Sequence, residues 1–162
     1  MGAGDKNLKV AVIGLWHLGC VTAACLAQGE HHVIAYDSNQ DVIQKLQQGT
    51  APIFEPGLDE LLIQSKAAGM LNFSSDPRDL TQADIIWVTY DTPVDNNDVA
   101  DVAFVTNEVE KLFSYLQKNA LIIISSQIPV GTTRKLLDHY TKEYPAKNIT
   151  FACRPRFMVL LN

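Results

Sequence analysis

Short apolar runs rich in β-branched residues alternate along this chain with longer stretches of helix-like composition. The apolar runs predict six β-strands, at residues 9–13, 32–36, 71–74, 85–89, 121–125 and 149–153. The stretches between them predict six helices, at residues 18–28, 40–47, 57–67, 77–82, 101–116 and 132–144. Such alternation is typical of a parallel sheet covered by helices, and the uninterrupted run Leu121-Ile-Ile-Ile124 fits a strand buried on both faces. The pattern therefore predicts a doubly wound α/β domain.

Some of the predicted helix ends have local causes. Gly29 and Gly49 follow the first two helices, and glycine after the last turn readily ends a helix. Asp76 precedes Pro77, a pair typical of an N-cap followed by proline at the first helical position. These signals support the predicted order of elements.

A glycine turn joins the first predicted strand to the first predicted helix. The segment Gly14-Leu-Trp-His-Leu-Gly19 is followed by Asp37 at the end of the second strand, which is the spacing of a dinucleotide-binding βαβ unit. The helix amino end offers free N–H groups and a partial positive charge to a pyrophosphate, and Asp37 would accept hydrogen bonds from the adenosine ribose hydroxyls. The candidate cofactor-binding residues of the turn are Gly14, Leu15, Trp16, His17, Leu18 and Gly19.

Trp16 occupies the middle position of the turn, where the G-x-G-x-x-G fingerprint has its second glycine. That glycine normally lets the backbone approach the phosphates. In one interpretation, which we favour because Gly14, Gly19 and Asp37 are kept, the indole turns outward and caps the cofactor entrance. In the other interpretation, the indole narrows the pyrophosphate site and weakens or blocks dinucleotide binding.

Further loops should line the same crevice, because ligands of such sheets bind beyond the carboxyl ends of the strands. These loops are residues 37–40, 90–94 and 126–132, with 154–157 as an additional candidate. Their candidate cofactor contacts are Ser38, Thr92, Pro93 and Ser126. No arginine near Asp37 could pair with a 2′-phosphate, so NAD is preferred to NADP. Thr132 and Thr133 begin the last helix and are expected to cap it.

The composition narrows the class of protein. The chain has 162 residues, of which 47% are hydrophobic, and this composition suits one globular domain. We expect a flexible N-terminus at 1–7, the folded domain at 8–153 and the start of a further segment at 154–162. The net charge of −5 argues against nucleic acid or an anionic membrane as a partner, and no apolar run reaches the ~20 residues that span a bilayer. The three cysteines have neither metal nor disulfide spacing, and the N-terminus has no apolar leader. Both features favour the cytoplasm as the location of the protein.

Other polar residues allow more than one interpretation. His17 could contact a phosphate or simply face solvent in the turn. Glu55 could orient a helix end or reach the crevice, and we favour the structural role. An acidic group contains Asp91, Asp95, Asp98 and Asp101. Its spacing fits no calcium loop, so it is interpreted as a solvated loop that ends in a helix cap at Asp101, and no metal site is predicted.

Four stretches carry a family resemblance: residues 10–19 continued by Val21-Thr-Ala-Ala-Cys-Leu26, Pro52-Ile-Phe-Glu-Pro-Gly-Leu58, Asp91-Thr-Pro93, and Ser126-Gln-Ile-Pro-Val-Gly-Thr-Thr133. In order and spacing they resemble the N-terminal half of the UDP-glucose/GDP-mannose dehydrogenases, the nucleotide-sugar 6-dehydrogenases. The resemblance implies oxidation of a sugar C6 alcohol to a carboxylate with two NAD⁺, acting on a nucleotide-sugar substrate. It also implies a homodimeric full-length parent whose catalytic cysteine lies in its C-terminal half. The 162-residue chain is therefore expected not to complete the reaction alone.

Two positions depart from the family pattern near the expected site. Gln127 stands where the family usually has a threonine that organises water near the reacting carbon; because glutamine can still donate and accept hydrogen bonds, it is the candidate catalytic residue. Arg154-Pro-Arg-Phe157 resembles the family's Asn-Pro-Glu-Phe, and Arg156 reverses the charge of the family's catalytic glutamate.

The cysteines do not replace the missing nucleophile. Cys20 and Cys25 fall on the first predicted helix and are expected to be buried packing residues, whereas a thiolate nucleophile needs exposure and activation. Cys153 lies nearer the crevice but matches no family catalytic position.

Three functions therefore compete. The first is the NAD-binding domain of a nucleotide-sugar dehydrogenase. The second is a non-catalytic Rossmann module that senses or scaffolds with an occluded site, which Trp16, Gln127 and Arg156 motivate. The third is a relative of β-hydroxy acid dehydrogenases, such as the hydroxyisobutyrate type, which the Pro-Ile-Phe-Glu-Pro-Gly-Leu stretch makes a weaker match.

Overall fold

A computed structural model of the chain describes residues 8–93 and 101–153. Within these residues the strands are β1 (Lys9–Ile13), β2 (His32–Tyr36), β3 (Leu71–Ser74), β4 (Ile85–Val88), β5 (Leu121–Ile124) and β6 (Thr150–Cys153). The α-helices are α1 (His17–Gln28), α2 (Gln40–Gln47), α3 (Leu58–Ala67), α4 (Val102–Glu110) and α5 (Thr132–Glu143). Two 3₁₀ turns cover Pro77–Gln82 and Phe113–Tyr115.

The strands form one parallel sheet in the order β3-β2-β1-β4-β5-β6. The chain proceeds outward from β1 to β3, then returns to the centre and proceeds outward in the other direction from β4 to β6. The strand order therefore reverses between β1 and β4, where Ile13 lies beside Val88. Ligands of doubly wound sheets bind at such a reversal, beyond the carboxyl ends of the strands. The predicted fold class is confirmed.

Both faces of the sheet are covered, which explains why its strands are apolar at successive positions. Side chains along a strand point alternately to opposite faces. In β1, Val10 and Val12 belong to the core beneath α1, α2 and α3, whereas Ala11 and Ile13 belong to the core beneath α4 and α5. The central strand is thus buried on both sides. In β5, for which the sequence predicts such burial, Ile122 and Ile124 are buried, whereas Leu121 and Ile123 on the other face are only partly buried.

Helix α1 packs on the sheet through a stripe of small residues. Its buried residues are Gly19, Cys20, Ala23, Ala24 and Ala27. Cys20 is 1% exposed, as predicted, but the prediction that Cys25 is buried is wrong, because Cys25 is exposed. At about 100° per residue, Cys25 is rotated away from the stripe that touches the strands.

Three predictions, about a helix type, a helix length and a helix cap, also differ from the structure. Residues 77–82 form a 3₁₀ turn rather than an α-helix, although Asp76 caps it and Pro77 begins it as predicted. The predicted helix at 101–116 ends at Glu110, and a 3₁₀ turn follows that buries Phe113. Helix α5 begins at Thr132, but its N-cap is Gly131 and no side-chain capping hydrogen bond is made there, so the predicted threonine cap is wrong.

The remaining predicted ends agree with the structure to within one residue. Gly29 is the C-cap of α1, and Gly49 follows α2 with a φ of +84°. Asp101 caps α4 by accepting a hydrogen bond from the Phe104 N–H at 3.0 Å. No helix in residues 8–93 or 101–153 is long and apolar enough to cross a bilayer.

Candidate functional site

The glycine turn after β1 requires glycine at its first position. Gly14 has a φ of +89°, a left-handed backbone conformation that side chains disfavour. Its N–H donates to the Tyr36 carbonyl at 3.0 Å, which ties the turn to the end of β2. A Cβ on Gly14 would lie 2.6 Å from the Tyr90 ring, so both the backbone and the neighbouring ring exclude a side chain.

Gly19 allows helix α1 to begin directly against the end of β1. A Cβ at this position would lie 2.0 Å from the Gly14 carbonyl oxygen and 2.9 Å from the Thr89 hydroxyl oxygen. Any side chain would therefore push the helix start away from the strand. The last glycine of the fingerprint has its expected role in close helix–strand packing.

Thr89 stabilises the turn through hydrogen bonds to its backbone, a role that was not predicted from the sequence. Its side chain is fully buried, and its hydroxyl lies 2.9 Å from the carbonyl oxygens of both Ile13 and Gly14, so one proton is shared between them. The Thr89 N–H also donates to Ile13 at 2.8 Å. In the sequence, Thr89 stands out as a polar residue at the end of an apolar run. Its hydrogen-bond partners could not be predicted, because they depend on the pairing of β1 with β4.

The amino end of α1 is open to an anion. The first hydrogen bond of the helix runs from the Cys20 N–H to the Trp16 carbonyl at 3.0 Å, so the N–H groups of His17, Leu18 and Gly19 have no intrahelical acceptor. The first turn contains no acidic residue, and no side chain caps it. These N–H groups and the helix dipole favour a negative group at this position.

The Trp16 side chain is only half buried. It is 49% exposed, in agreement with the interpretation in which the indole points outward. Cys20, by contrast, lies beneath the turn, where its thiol contacts the Leu15 carbonyl at 3.6 Å. Burial, followed by the negative charges of Asp37 and Asp59, raises the pKa of Cys20 to about 12, so this thiol is not a nucleophile.

Asp37 lies beside the turn at the end of β2. One carboxylate oxygen accepts the Leu15 N–H at 2.8 Å, and the other accepts the Asn39 N–H at 2.9 Å. Each oxygen keeps a second lone pair for another donor. Ser38 is exposed next to this carboxylate. Asp37 therefore fixes the path of the turn and also presents acceptors at its edge.

His17 connects the start of α1 to the loop that precedes α3. Its Nε2 atom lies 2.9 Å from a carboxylate oxygen of Glu55, and both side chains are about half exposed. Glu55 thus contacts the end of helix α1, in line with the structural role that the sequence favours.

The loops after β4 and β5 are tied to each other. The buried Ser126 hydroxyl donates to the Tyr90 carbonyl at 2.6 Å, and the Thr92 hydroxyl donates to the Gln127 carbonyl at 2.8 Å. Gln127 is exposed, and the Pro93 carbonyl accepts the Asp101 N–H at 2.7 Å. The two loops therefore form one hydrogen-bonded wall next to the glycine turn.

The structure brings most of the predicted site residues to one edge of the sheet. Gly14 to Gly19, Asp37, Ser38, Thr92, Pro93, Ser126 and Gln127 all follow the carboxyl ends of β1, β2, β4 and β5. Asp95, Asp98 and residues 154–157, with Arg156, lie outside the described residues. In the described part of the chain, no three His, Cys, Asp or Glu side chains cluster as metal ligands.

These features define a class of protein. A doubly wound parallel sheet, a glycine turn opening a helix, and a carboxylate at the end of the second strand together form a dinucleotide-binding Rossmann-type domain. The UDP-glucose/GDP-mannose dehydrogenase family, NAD binding domain, matches residues 8–162. The chain belongs to this family, and NAD is the family's cofactor. The hypothesis of a β-hydroxy acid dehydrogenase relative is thereby set aside.

Individual relatives agree with this assignment. The chain is 32% identical to a UDP-glucose 6-dehydrogenase of Bacillus subtilis over 154 residues, which cover 93% of this chain and 35% of that protein. The fold matches a UDP-D-ManNAc dehydrogenase of Pyrococcus horikoshii with a TM-score of 0.85 and 27% identity, covering 94% of this chain and 37% of the other. A UDP-glucose dehydrogenase of Pyrobaculum islandicum gives a TM-score of 0.83 and 26% identity, over 98% and 38% of the two chains. The chain spans about a third of the length of the relatives it matches.

Proposed function

We propose that this chain holds NAD for a nucleotide-sugar 6-dehydrogenase, with the pyrophosphate at the amino end of α1. The observation that carries this proposal is the shape of the turn: Gly14 and Gly19 leave no room for a side chain, and the helix N–H groups beyond them have no intrahelical acceptor. A cradle of this kind admits a phosphate group close to backbone donors.

In this proposal the turn and its neighbours have separate roles. The N–H groups of residues 16–19 would meet the pyrophosphate, with Leu15 and Leu18 shaping the turn and His17 beside it. Asp37 would accept the ribose hydroxyls, with Ser38 next to it. The wall formed by Thr92, Pro93, Ser126 and Gln127 would border the nicotinamide half. Gln127 is the residue proposed to lie nearest the reacting carbon.

The proposed reaction is oxidation of a nucleotide-sugar C6 alcohol to a carboxylate with two NAD⁺, in the cytoplasm. NAD⁺ supplies the hydride acceptor. The residues of this chain bind and orient the cofactor, and the buried Cys20 is unsuited to covalent chemistry. We therefore propose that residues 1–162 bind the cofactor without turnover, and that catalysis and dimerisation use further parts of a longer parent. The match covers only 35% of each of two relatives.

Calorimetric titration of the chain with NADH tests this function. Saturable one-site binding, together with no NADH formation from UDP-glucose and NAD⁺, is the expected result. Binding of NADH by an Asp41→Asn variant should be unchanged, since Asp41 is an exposed acid on α2 outside the site. If the chain shows no heat of binding at millimolar NADH, the proposal is wrong and the alternative of a non-catalytic scaffold with an occluded site gains support.

A further inference from the structure

We infer that Phe104, held by Tyr90, forms the wall on which the adenine ring of the cofactor stacks. This inference rests on the proposed function, because it assigns the adenine end of the same site. Neither residue belongs to the glycine fingerprint. Tyr90 contacts the fingerprint at Gly14, and Phe104 contacts Tyr90.

Tyr90 connects the turn to helix α4. Its ring lies against Gly14 on one side, where an added Cβ would come within 2.6 Å of the ring. On the other side it makes an edge-to-face contact with Phe104, with ring centroids 5.6 Å apart and an interplanar angle of 76°. Edge-to-face pairs are a favourable arrangement of aromatic rings, so Tyr90 fixes the position of Phe104 relative to the turn.

Tyr90 is also linked to Asp37 through the turn, because its ring contacts Gly14 and the next residue, Leu15, donates its N–H to Asp37 at 2.8 Å. Burial, followed by the negative charges of Glu108 and Asp37, raises the pKa of Tyr90, so its hydroxyl stays protonated. Asp37 marks the expected position of the adenosine ribose. The aromatic pair is therefore joined, through Gly14 and Leu15, to the carboxylate that we expect to bind the adenosine ribose.

Phe104 is ordered yet open to solvent. It lies in the first turn of α4, where Asp101 accepts its N–H at 3.0 Å, and its side chain is 36% exposed. The neighbouring Val105 and Val109 are buried and attach the helix to the sheet. A partly exposed phenyl ring, held by Tyr90 next to the turn that Asp37 binds, is a suitable surface for a flat aromatic base, because base–aromatic stacking needs only an accessible ring face.

Separate halves of the cofactor test this inference. We would measure the affinity of the parent chain and of Phe104→Ala for NADH, for AMP and for reduced nicotinamide mononucleotide. Loss of a stacking surface should weaken NADH and AMP by about tenfold each, and should leave the mononucleotide unchanged. Phe104→Tyr keeps an aromatic ring. Its affinities for NADH and AMP should therefore stay within about twofold of those of the parent, a change much smaller than the tenfold loss expected when the ring is removed.

Controls separate stacking from a general loss of structure. Ile63→Ala removes another half-exposed apolar side chain, on α3, and should leave all three affinities unchanged. Urea denaturation of each variant shows whether it is folded under the titration conditions. If Phe104→Ala proves unstable, Phe104→Leu retains bulk without an aromatic face and should show the same selective loss.

The outcomes distinguish this inference from the proposed function. Equal NADH affinities for the parent and Phe104→Ala, or a matching loss for the nicotinamide mononucleotide, would overturn the adenine assignment and leave NAD binding intact. Absence of NADH binding by the parent chain itself would remove the proposed function, and the adenine assignment with it.

Discussion

The Tyr90 ring lies so close to Gly14 that a single Cβ on the glycine would come within 2.6 Å of a ring carbon. This contact joins the end of β4 to the turn that follows β1. It explains why the turn depends on a residue far away in sequence, and it determines which substitutions the turn can accept.

Gly14→Ala should destabilise the chain and abolish NADH binding. The left-handed backbone costs about 1 kcal/mol for a side chain, and the contact with Tyr90 adds about 1–3 kcal/mol of overpacking. Urea denaturation measures the free energy of unfolding. Gly69→Ala is the matched control, because Gly69 has a φ of +74° with no atom near its Cβ position, and it should lose only the backbone cost of about 1 kcal/mol. Equal losses in the two variants would show that Tyr90 does not restrict the turn.

Asp37→Asn should weaken NADH and reduce the preference for NADH over NADPH. The carboxylate accepts two N–H groups and carries a charge that repels a 2′-phosphate. Hydrogen bonds to a charged group are worth about 1.5–3 kcal/mol, so we expect a loss of about tenfold or more in NADH affinity. Calorimetry with both cofactors measures the ratio. Asp41→Asn removes the same charge four residues further on and should change neither affinity; an unchanged ratio in Asp37→Asn would contradict the assignment.

His139 should make stability depend on pH. Its two ring nitrogens lie 2.8 Å from Glu110 and 3.2 Å from Glu143, so it joins α4 to α5. The hydrogen bond to Glu110, with the charges of both glutamates, raises the pKa of His139 above 6.5. Because the folded pKa is raised, the stabilisation is fully present below pH 6.5 and is lost as pH rises through the folded value.

Thermal unfolding, measured at pH values from below to above the pKa of His139, checks the prediction. The difference in stability between the parent and His139→Gln should be largest in mild acid and should shrink as pH rises. Glu110→Gln removes the main partner and should flatten the dependence. A difference that stays constant with pH would mean that the histidine contributes through packing against Phe113 rather than through charge.

Tyr140→Phe should leave stability unchanged or increase it by about 1 kcal/mol. The Tyr140 hydroxyl is buried and has no hydrogen-bond partner among the described residues. A buried polar group without a partner carries a desolvation cost, which the phenyl ring avoids. The ring contacts with Phe113 and Tyr144 would be kept. A clear drop in the urea midpoint would reveal that the hydroxyl has a partner.

Much of the fold could be predicted from the sequence because the signals are local. The apolar strands, Gly14, Gly29, Asp76 and Asp101 act through their own backbone positions or near neighbours. Residues 90–94 were predicted to line the crevice, but the contacts of Thr89 and Tyr90 with the turn were not, because they arise only when β4 pairs with β1. The sequence carried a cue for Thr89 but not for the atoms that it would contact.

Two of the wrong predictions have different causes. Helix α4 ends at Glu110 because the following turn buries Phe113 against Tyr140, a contact with the distant helix α5. Cys25 is exposed because the stripe of α1 that faces the sheet is set by small residues, and this cysteine lies off that stripe. Tertiary packing decided the end of α4, whereas the exposure of Cys25 follows from the helical spacing of the small residues in α1.

The outward position of Trp16 gives the protein an intrinsic optical reporter. Its indole is half exposed beside the helix end, whereas the indole N–H of Trp87, the other tryptophan, donates to the Ser125 hydroxyl at 2.9 Å within the sheet. Emission from Trp16 should respond to a molecule that enters the turn, while Trp87 should respond to unfolding of the strands. Occupancy and integrity of the fold can therefore be followed in one unlabelled sample.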